Sequence, residues 1–313
     1  MSNTTQKSAF ISILGRPNVG KSSLLNKIIG QKIAIVSSKP QTTRTRIMGV
    51  YTKGEEQLVF IDTPGFHKPK NLLGQNMINI VNTGFCDVEA AVLVVDAHPG
   101  FTFDPQNLPP AEIELIKNIK QKNLSCILVI NKIDLLPEKE DLLTIISAYS
   151  KAYNFASVIP LSAKTGDGVK YLVSDLLKFT KPSPHFFDAD CFTDQTDETM
   201  VAEIIREKLL RILDKEVPHG IAVGIDKLVE RDTSTGEPII ELQATIYCEK
   251  NSHKAIIIGK GGATLKKIGT VARIDIEKFY GIRANLSLWV KVKEDWRNKE
   301  GLIHSFGLDY GNK

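Results

Sequence analysis

Residues 15–22, GRPNVGKS, constrain the fold of this chain more than any other stretch of its sequence. They match the pattern GxxxxGK[ST] and lie between an apolar run at 8–14 and a helical pattern that starts at Lys21. A loop of this kind turns its backbone N–H groups inward around phosphates, helped by the positive end of the following helix. A glycine turn that only caps a helix would not require the full octet. The octet therefore predicts a P-loop within a strand–loop–helix unit.

The P-loop pattern also assigns roles to single side chains. Lys21 is predicted to reach the β- and γ-phosphates, and Ser22 to bind Mg²⁺. The residues predicted to surround the phosphates are Gly15, Arg16, Pro17, Asn18, Val19, Gly20, Lys21, Ser22 and Ser23.

Apolar runs alternate with amphipathic helical stretches through the first 180 residues. Continuous apolar strands that alternate with helices are typical of a mostly parallel, doubly wound sheet, which binds its ligands at the carboxyl ends of the strands. The other predicted strands are 58–62, 90–97, 126–132 and 156–163, and the predicted helices lie around 74–83, 110–122, 138–153 and 168–179. We expect an α/β domain over residues 1–180.

The tetrapeptide NKID, at 131–134, indicates which base the site prefers. Asp134 can accept hydrogen bonds from N1–H and the N2 amino group of guanine, whereas adenine would leave this carboxylate unpaired. Asn131 can bond N7, and the Ala163 amide of LSA (161–163) can bond O6. The residues assigned to the base are Asn131, Lys132, Asp134, Ser162, Ala163 and Lys164. Following a P-loop, NKID predicts a GTPase domain that binds GTP and GDP.

DTPG, at 62–65, ends another predicted strand and is expected to lie near the γ-phosphate. Asp62 is predicted to hold Mg²⁺ through a water molecule, and Gly65 to donate its amide to the γ-phosphate. The residues assigned to this end of the site are Asp62, Thr63, Pro64 and Gly65.

QTTRT, at 41–45, lies in a polar, glycine-poor segment that we expect to be mobile. One of its threonines is expected to close over Mg²⁺ when GTP is bound, and the sequence alone does not decide between Thr42 and Thr43. The predicted metal set is Ser22, Thr43 and Asp62. The residues predicted to take part in hydrolysis are Lys21, Thr42, Thr43, Asp62 and Gly65.

Catalysis is expected to be slow, because Phe66 follows the DTPG glycine at the position where Ras-type enzymes have a glutamine that orients water. Arg44 and Arg46 are the nearest candidates for an arginine finger, although a solvated loop is the favoured interpretation. Intrinsic turnover of about 10⁻⁴–10⁻² s⁻¹ is therefore predicted. Asn18 resembles the asparagine of potassium-assisted GTPases, and a simple turn is the alternative.

A second domain is predicted after a linker at 181–198, where prolines, acids and small polar residues show no periodicity. Over 199–313 the predicted order is helix, strand, strand, helix, helix, strand, with GKGG (259–262) between the last two helices. That is the arrangement of an α+β type II KH domain, in which a GxxG loop clamps about four nucleotides. The predicted elements are 199–214, 220–230, 238–248, 252–258, 263–280 and 284–293.

The charge of this region supports an RNA-binding role. Residues 250–299 carry twelve Lys and Arg against four Asp and Glu, a net charge of +8, whereas the whole chain carries +4. A local basic excess of this size is typical of a polyanion-binding surface. The alternatives are a solvated lysine face and, for Gly259, a simple helix cap. The predicted RNA contacts are Lys254, Ile257, Gly259, Lys260, Gly261, Gly262, Lys266, Lys267 and Arg273, with Ile256, Ile257 and Ile258 supplying an apolar groove for bases.

The remaining composition favours a cytoplasmic protein. The chain has four cysteines without a CxxC pair, which suits reduced thiols, and its apolar runs are shorter than the ~18 residues that a membrane span needs. The polar start MSNTTQK does not resemble a signal peptide.

These motifs, in order, resemble the Era family of bacterial GTPases, within the TrmE-Era-EngA-septin-like superfamily. The resemblance covers nearly the whole chain and rests on GRPNVGKS, QTTRT, DTPGFHKPKNLLGQNM, NKID, LSA and HKAIIIGKGG. It implies binding to the 3′ region of 16S rRNA, assistance in assembly of the 30S subunit, a monomeric state, and peripheral association with the cytoplasmic side of the membrane. The loop at 97–112 is longer than the family pattern.

Two other functions are compatible with the sequence. One is a signalling or membrane GTPase whose basic second domain binds anionic lipid, and the other is a KH-type interaction module without RNA affinity. The leading hypothesis is an RNA-binding GTPase that acts in ribosome assembly. A preference for single-stranded RNA over anionic vesicles distinguishes it from the lipid-binding GTPase, and any RNA affinity distinguishes it from the interaction module.

Overall fold

The computed structural model describes residues 6–308, apart from 38, 40, 67, 68, 70, 98–107, 137, 138 and 214–219. The chain divides into two compact units. Unit 1 comprises Met1–Ala34, Thr43–Pro69 and Gln75–Asp194, and unit 2 comprises Ile35–Thr42, Lys70–Gly74 and Gln195–Lys313. Two short segments from the first half of the chain therefore belong to unit 2, together with most of the predicted second domain.

A mostly parallel sheet forms the centre of unit 1. In its described residues the strand order is β2-β3-β1-β4-β5-β6, and a short β7 pairs with β1. Only β2, against β3, and β7, against β1, are antiparallel to their neighbours. The strands are β1 (Lys7–Leu14), β2 (Ile47–Lys53), β3 (Glu56–Asp62), β4 (Ala90–Asp96), β5 (Cys126–Asn131), β6 (Ser157–Pro160) and β7 (Lys181–Pro182).

Helices cover both faces of this sheet, which confirms the predicted doubly wound fold. One face packs on α1 and α5 through residues such as Leu24 and Leu172, and the other packs on α3 and α4 through residues such as Leu115 and Ile145. β4 and β5 are buried on both faces, which explains their uninterrupted apolar sequences. The helices are α1 (Lys21–Ile29), α2 (Leu72–Thr83), α3 (Pro110–Gln121), α4 (Lys139–Ala152) and α5 (Val169–Leu176).

Residues 181–194, which the sequence indicated as the start of a linker, pack on unit 1. The buried Gln57 side chain accepts from the Phe186 N–H at 2.8 Å and donates to the Phe187 carbonyl at 2.9 Å. Further along, the Val50 N–H donates to the Phe192 carbonyl at 2.9 Å. The segment thus bonds to β3 through Gln57 and to β2, the edge strand of the sheet, through Val50, and an unpaired edge is otherwise a site of aggregation.

Unit 2 has the predicted element order. Its elements are α6 (Asp197–Ile212), β8 (Ala222–Asp232), β9 (Pro238–Cys248), α7 (Asn251–Ile258), α8 (Ala263–Tyr280), β10 (Arg283–Val292) and α9 (Glu300–Ser305). β9 is central, antiparallel to β8 and parallel to β10, and α6 and α8 pack on the sheet through a buried apolar core. The α+β KH fold is confirmed, whereas α9 is an addition that the sequence did not indicate.

Candidate guanine-nucleotide site and RNA-facing loop

The P-loop lies between β1 and α1, as predicted, and its backbone leaves no room for side chains at its glycines. Gly20 has φ 100°, and a Cβ there would lie 2.2 Å from Asn131 Nδ2. A Cβ at Gly15 would lie 2.4 Å from the Val94 carbonyl oxygen. Asn18 also has a positive φ, of 66°. The loop is therefore packed closely against the ends of β4 and β5.

Lys21 is held over this loop and is almost fully buried. Its Nζ donates to the carbonyls of Gly15 and Arg16, at 3.1 Å each. Burial lowers the pKa of Lys21 to about 8, and the nearby Asp62 carboxylate opposes that shift. Because desolvation disfavours the ammonium, an anionic phosphate beside it would raise this pKa again and stabilise the charged form.

Three oxygen-bearing side chains meet beside Lys21. Ser22 Oγ donates to Asp62 Oδ2 at 2.7 Å and lies 3.0 Å from Thr43 Oγ1. Asp62 is wholly buried, its Oδ1 has no hydrogen-bond partner, and burial raises its pKa to about 6. A buried carboxylate oxygen without a partner, next to two hydroxyls, is a donor set that suits a hard cation such as Mg²⁺. These residues therefore fit the predicted metal site.

The geometry distinguishes the two threonines that the sequence left open. Thr43 is 8% exposed and contributes to the cluster with Ser22 and Asp62. Thr42 instead donates its hydroxyl to the Lys39 carbonyl at 2.6 Å, and its own carbonyl accepts from the Arg206 guanidinium. Thr43 is thus the candidate for the metal, and Thr42 has a structural role.

The base-recognition residues meet at the ends of β5 and β6. Asn131 Nδ2 donates to the Val19 carbonyl at 2.8 Å, and Asn131 Oδ1 accepts from the Ala163 N–H at 2.9 Å. Ser162 Oγ donates to Asp134 Oδ1 at 2.6 Å, which orients an exposed carboxylate. The Ala163 N–H that was expected to bond guanine O6 is here bonded to Asn131, so that contact stays a prediction.

The residues near DTPG differ partly from expectation. Gly65 packs against Pro17, where a Cβ would lie 2.6 Å from the Pro17 nitrogen. Phe66 packs against the apolar core, in agreement with the absence of a water-orienting side chain there. Arg46 is exposed, but Arg44 is only 3% exposed, so the expectation of a solvated role is wrong for Arg44. Its position inside the unit could not be seen from a polar local sequence.

Sequence reasoning missed a group of charged residues beside the P-loop. Arg16 and Lys132 both pair with Asp96 at the end of β4, at 2.9 and 3.1 Å, and Arg16 also pairs with the wholly buried Glu112 of α3. Glu112 further accepts from the Tyr149 hydroxyl. An acidic residue in the first turn of an otherwise apolar helix face was the only signal for Glu112.

Sequence reasoning also missed the hydrogen bonds between α6 and the segment that precedes Thr43. Within unit 2, Glu207 Oε1 accepts from the Val36 N–H at 3.1 Å, and Arg211 donates to the Val36 carbonyl at 3.0 Å. Arg206 and Glu207 are both buried on α6 although both are charged. Three consecutive charged residues, Arg206 to Lys208, in the middle of a helix were the available signal, because they interrupt its apolar periodicity.

The GKGG loop in unit 2 has an open geometry. Gly259, Gly261 and Gly262 have φ of 73°, 58° and 80°, which is the region that favours glycine. Gly259 caps α7, and a Cβ there would lie 2.2 Å from Thr264 Oγ1, whereas a Cβ at Gly261 or Gly262 would meet nothing within 4 Å. Lys260 is exposed. A cap alone would not need the two further glycines, so the loop can bring its backbone close to a ligand.

A groove continues from this loop between α8 and β10. Its volume is about 560 Å³, and its lining combines apolar and basic side chains: Gly262, Leu265, Lys266, Gly269, Thr270, Arg273, Leu286 and Leu288. Lys254 and Lys267 lie outside this lining; Lys267 is exposed and Lys254 is half-buried. The predicted role of Ile257 is wrong, because its side chain is wholly buried in the core of unit 2. Leucines of α8 and β10 supply the apolar surface instead.

Comparisons with known proteins agree with this geometry. A family model described as 50S ribosome-binding GTPase matches residues 10–132, and a KH domain model matches 216–297. GTPase Era of Ruminiclostridium cellulolyticum is 46% identical, with 96% of this chain and 97% of that protein covered. GTPase Era of Alkaliphilus oremlandii is 47% identical, with 97% and 100% covered. The chain belongs to the Era family of GTPases.

Two solved Era structures match almost the whole chain. One is a variant of Aquifex aeolicus Era bound to GDP and AlF4⁻, with a TM-score of 0.89 and 34% identity over 97% of this chain and 100% of that one. The other is Era in complex with MgGDPNP and nucleotides 1506–1542 of 16S ribosomal RNA, also with a TM-score of 0.89 and 34% identity, over 97% and 99%. None of the helices in the described ranges is long and apolar enough to cross a membrane.

Proposed function

We propose that this Era-family GTPase binds single-stranded RNA near the 3′ end of 16S ribosomal RNA and assists assembly of the 30S subunit. The observation that carries the proposal is the GKGG loop, in which Gly261 and Gly262 leave open space at a backbone of positive φ beside the exposed Lys260. The adjoining groove between α8 and β10 offers leucines to bases and Lys266 and Arg273 to phosphates. The Era relative that holds nucleotides 1506–1542 of 16S ribosomal RNA supports the choice of RNA.

The nucleotide site assigns a role to each end of GTP. Ser162 fixes Asp134 so that its carboxylate can accept from the guanine edge, and Lys21, held by the Gly15 carbonyl, would bind the phosphates. Ser22, Thr43 and Asp62 would hold Mg²⁺, which supplies positive charge to the phosphates as the bond to the γ-phosphate breaks. Around it, the P-loop backbone and Lys21 bind and orient the phosphates.

Hydrolysis by the isolated protein is proposed to be slow. Phe66 offers no group that could polarise water, and its ring packs on the apolar core. Slow hydrolysis prolongs the GTP-bound state, which suits a protein that checks an assembly step.

The direct test measures RNA and lipid binding in parallel. The purified protein, loaded with GDP or a non-hydrolysable GTP analogue, is titrated with a single-stranded RNA matching nucleotides 1506–1542 and with vesicles rich in anionic phospholipid. We expect RNA binding that weakens steeply with salt and exceeds vesicle binding. Binding to vesicles alone would favour a lipid-binding GTPase, and binding to neither would favour an interaction module without RNA affinity.

Two further expectations follow from the family resemblance. The protein is proposed to act in the cytoplasm as a monomer, with a peripheral association with the cytoplasmic side of the membrane. Sedimentation of the purified protein checks the monomeric state, and the vesicle titration checks the association with the membrane.

A further inference from the structure

One carboxylate in unit 1 contacts two separate nucleotide motifs. Asp96 Oδ1 accepts from an Arg16 guanidinium nitrogen of the P-loop at 2.9 Å, and Asp96 Oδ2 accepts from Lys132 Nζ of NKID at 3.1 Å. Asp96 is the last residue of β4, which lies between β1 and β5 in the sheet. β1 leads into the P-loop, and β5 leads into NKID. The side chain of Asp96 is 15% exposed, and those of Arg16 and Lys132 are 26% and 29% exposed, so both pairs are partly shielded from solvent.

The other side of Arg16 rests on a buried support. Arg16 Nε donates to Glu112 of α3, and the second oxygen of Glu112 accepts from the Tyr149 hydroxyl of α4. Glu112 has no exposed surface, and burial raises its pKa while the Arg16 charge opposes that shift. A carboxylate in such a place needs a cation, and Arg16 supplies one.

Both contacts of Asp96 fix residues that lie next to the proposed nucleotide-binding groups. The Arg16 carbonyl accepts from Lys21 Nζ, so a fixed Arg16 also fixes one of the two carbonyls that hold the phosphate-binding lysine. Lys132 has φ 66°, an unfavourable conformation for a residue with a side chain, and its bond to Asp96 helps to hold it there. Buried ion pairs add little net stability on average, so positioning is the more informative role to test.

We propose that Asp96 is a positioning residue that couples the P-loop to the guanine-recognition motif, and that Glu112 and Tyr149 form the fixed support of Arg16. The inference rests on the proposed guanine-nucleotide site. It predicts that a substitution at Arg16, at the phosphate end of the site, changes the contribution of Lys132, at the base end, to nucleotide affinity, because both side chains bond Asp96.

The first test is Asp96→Asn, which keeps the shape of the side chain and removes its charge. We expect the KM for GTP and the dissociation rate of a fluorescent GDP to rise about tenfold, while kcat stays within about twofold, because positioning of the bound nucleotide is weakened whereas Lys21 keeps its bond to the Gly15 carbonyl. A fall in kcat with an unchanged KM would overturn the proposal.

The second test is a double-mutant cycle. GDP affinity is measured for Arg16→Gln, Lys132→Gln and both together, first with Asp96 and then with Asp96→Asn. We expect the two effects to be non-additive by about threefold or more with Asp96 and additive with Asp96→Asn. A purely structural role of Asp96 does not produce this pattern. Additivity in both backgrounds, or coupling that persists with Asp96→Asn, would overturn the proposal.

The support of Arg16 has a matched control. Tyr149→Phe removes the hydroxyl that bonds Glu112, and Tyr153→Phe removes a nearby hydroxyl that bonds the Leu124 carbonyl at 3.0 Å. We expect GDP dissociation to accelerate about threefold in Tyr149→Phe only. Equal effects would remove Tyr149 from the support.

GDP binding by the wild-type protein is measured first. If the wild type does not bind GDP, the proposed nucleotide site is wrong. If it binds GDP but the double-mutant cycle is additive, only the proposed coupling through Asp96 is wrong.

Discussion

The chain contains two glycine-rich lysine loops, and their backbones are used in opposite ways. In the P-loop, a Cβ at Gly20 would meet Asn131, and Lys21 is buried. In the GKGG loop, Gly261 and Gly262 face open space, and Lys260 is exposed. A loop enclosed by protein suits a small ligand, whereas an open loop suits one that continues past it. Composition alone therefore does not indicate what such a loop binds.

The largest expected effect comes from placing the same small side chain in each loop. Gly20→Ala must adopt φ 100° and displace Asn131, which holds both Val19 and Ala163. We expect a loss of about 4 kcal/mol in GTP binding, roughly 1000-fold, from backbone strain together with broken hydrogen bonds. Equilibrium dialysis with labelled GTP measures this loss.

Gly262→Ala is the matched control for that experiment. Its φ of 80° is also unfavourable for alanine, but the Cβ would meet no atom within 4 Å. We expect a stability cost of about 1 kcal/mol and unchanged GTP affinity. If both variants lost GTP binding equally, the two loops would not be as different as their geometry indicates.

A second prediction concerns the RNA-facing loop. Lys260→Asp with Gly261→Asp places two carboxylates where phosphates are expected to approach. The open space at Gly261 and the tolerance of Asp for positive φ should preserve the fold. We expect RNA affinity to fall by about two orders of magnitude, or about 2.7 kcal/mol, at low salt.

Filter binding measures the RNA affinity of this double variant, and circular dichroism checks its fold. GTP stoichiometry should be one per chain in both proteins. Two GTP per wild-type chain and one per variant chain would instead make GKGG a second nucleotide pocket.

Motifs made of consecutive residues could be predicted from the sequence, whereas contacts between residues far apart in the chain could not. The P-loop, NKID and GKGG lie between or at the ends of the elements that the sequence predicted, because each is a run of consecutive residues. Ile257 was assigned wrongly because successive residues of a helix point about 100° apart, so neighbouring isoleucines cannot all line one groove. The ion pair between Arg16 and the buried Glu112 joins residues far apart in the chain, and no local pattern encodes such a partner.

The third prediction tests the guanine assignment. Asp134→Asn replaces one acceptor oxygen with a donor while Ser162 can still bond the other oxygen. We expect GTP affinity to fall by about 10- to 100-fold, the cost of losing a hydrogen bond to a charged group, and preference to shift toward xanthine nucleotides. Competition between GTP and XTP for the site measures the change. Wild-type GTP affinity in the variant would show that NKID does not read the base.

The fourth prediction compares two neighbouring threonines. Thr43→Ala removes the hydroxyl that lies 3.0 Å from Ser22 Oγ, whereas Thr42→Ala removes one that bonds the Lys39 carbonyl. We expect the Mg²⁺ concentration for half-maximal GTP hydrolysis to rise about tenfold in Thr43→Ala and to change less than about twofold in Thr42→Ala. The reverse order of effects would move the metal role to Thr42.

The smallest expected effect concerns a monovalent ion at the P-loop. Asn18 has φ 66° and is exposed, and Phe66 offers no group that could orient the attacking water, so a further cation near the phosphates is the candidate source of acceleration. If Asn18 helps to hold K⁺ near the phosphates, replacing Na⁺ by K⁺ should raise GTP turnover several-fold, because a correctly placed cation stabilises charge that develops in the transition state. Asn18→Ala should abolish the difference between the two salts and leave the affinity for GDP nearly unchanged. Equal rates in both salts, with Asn18→Ala also without effect, would leave Asn18 as a turn residue and place the source of acceleration outside this chain.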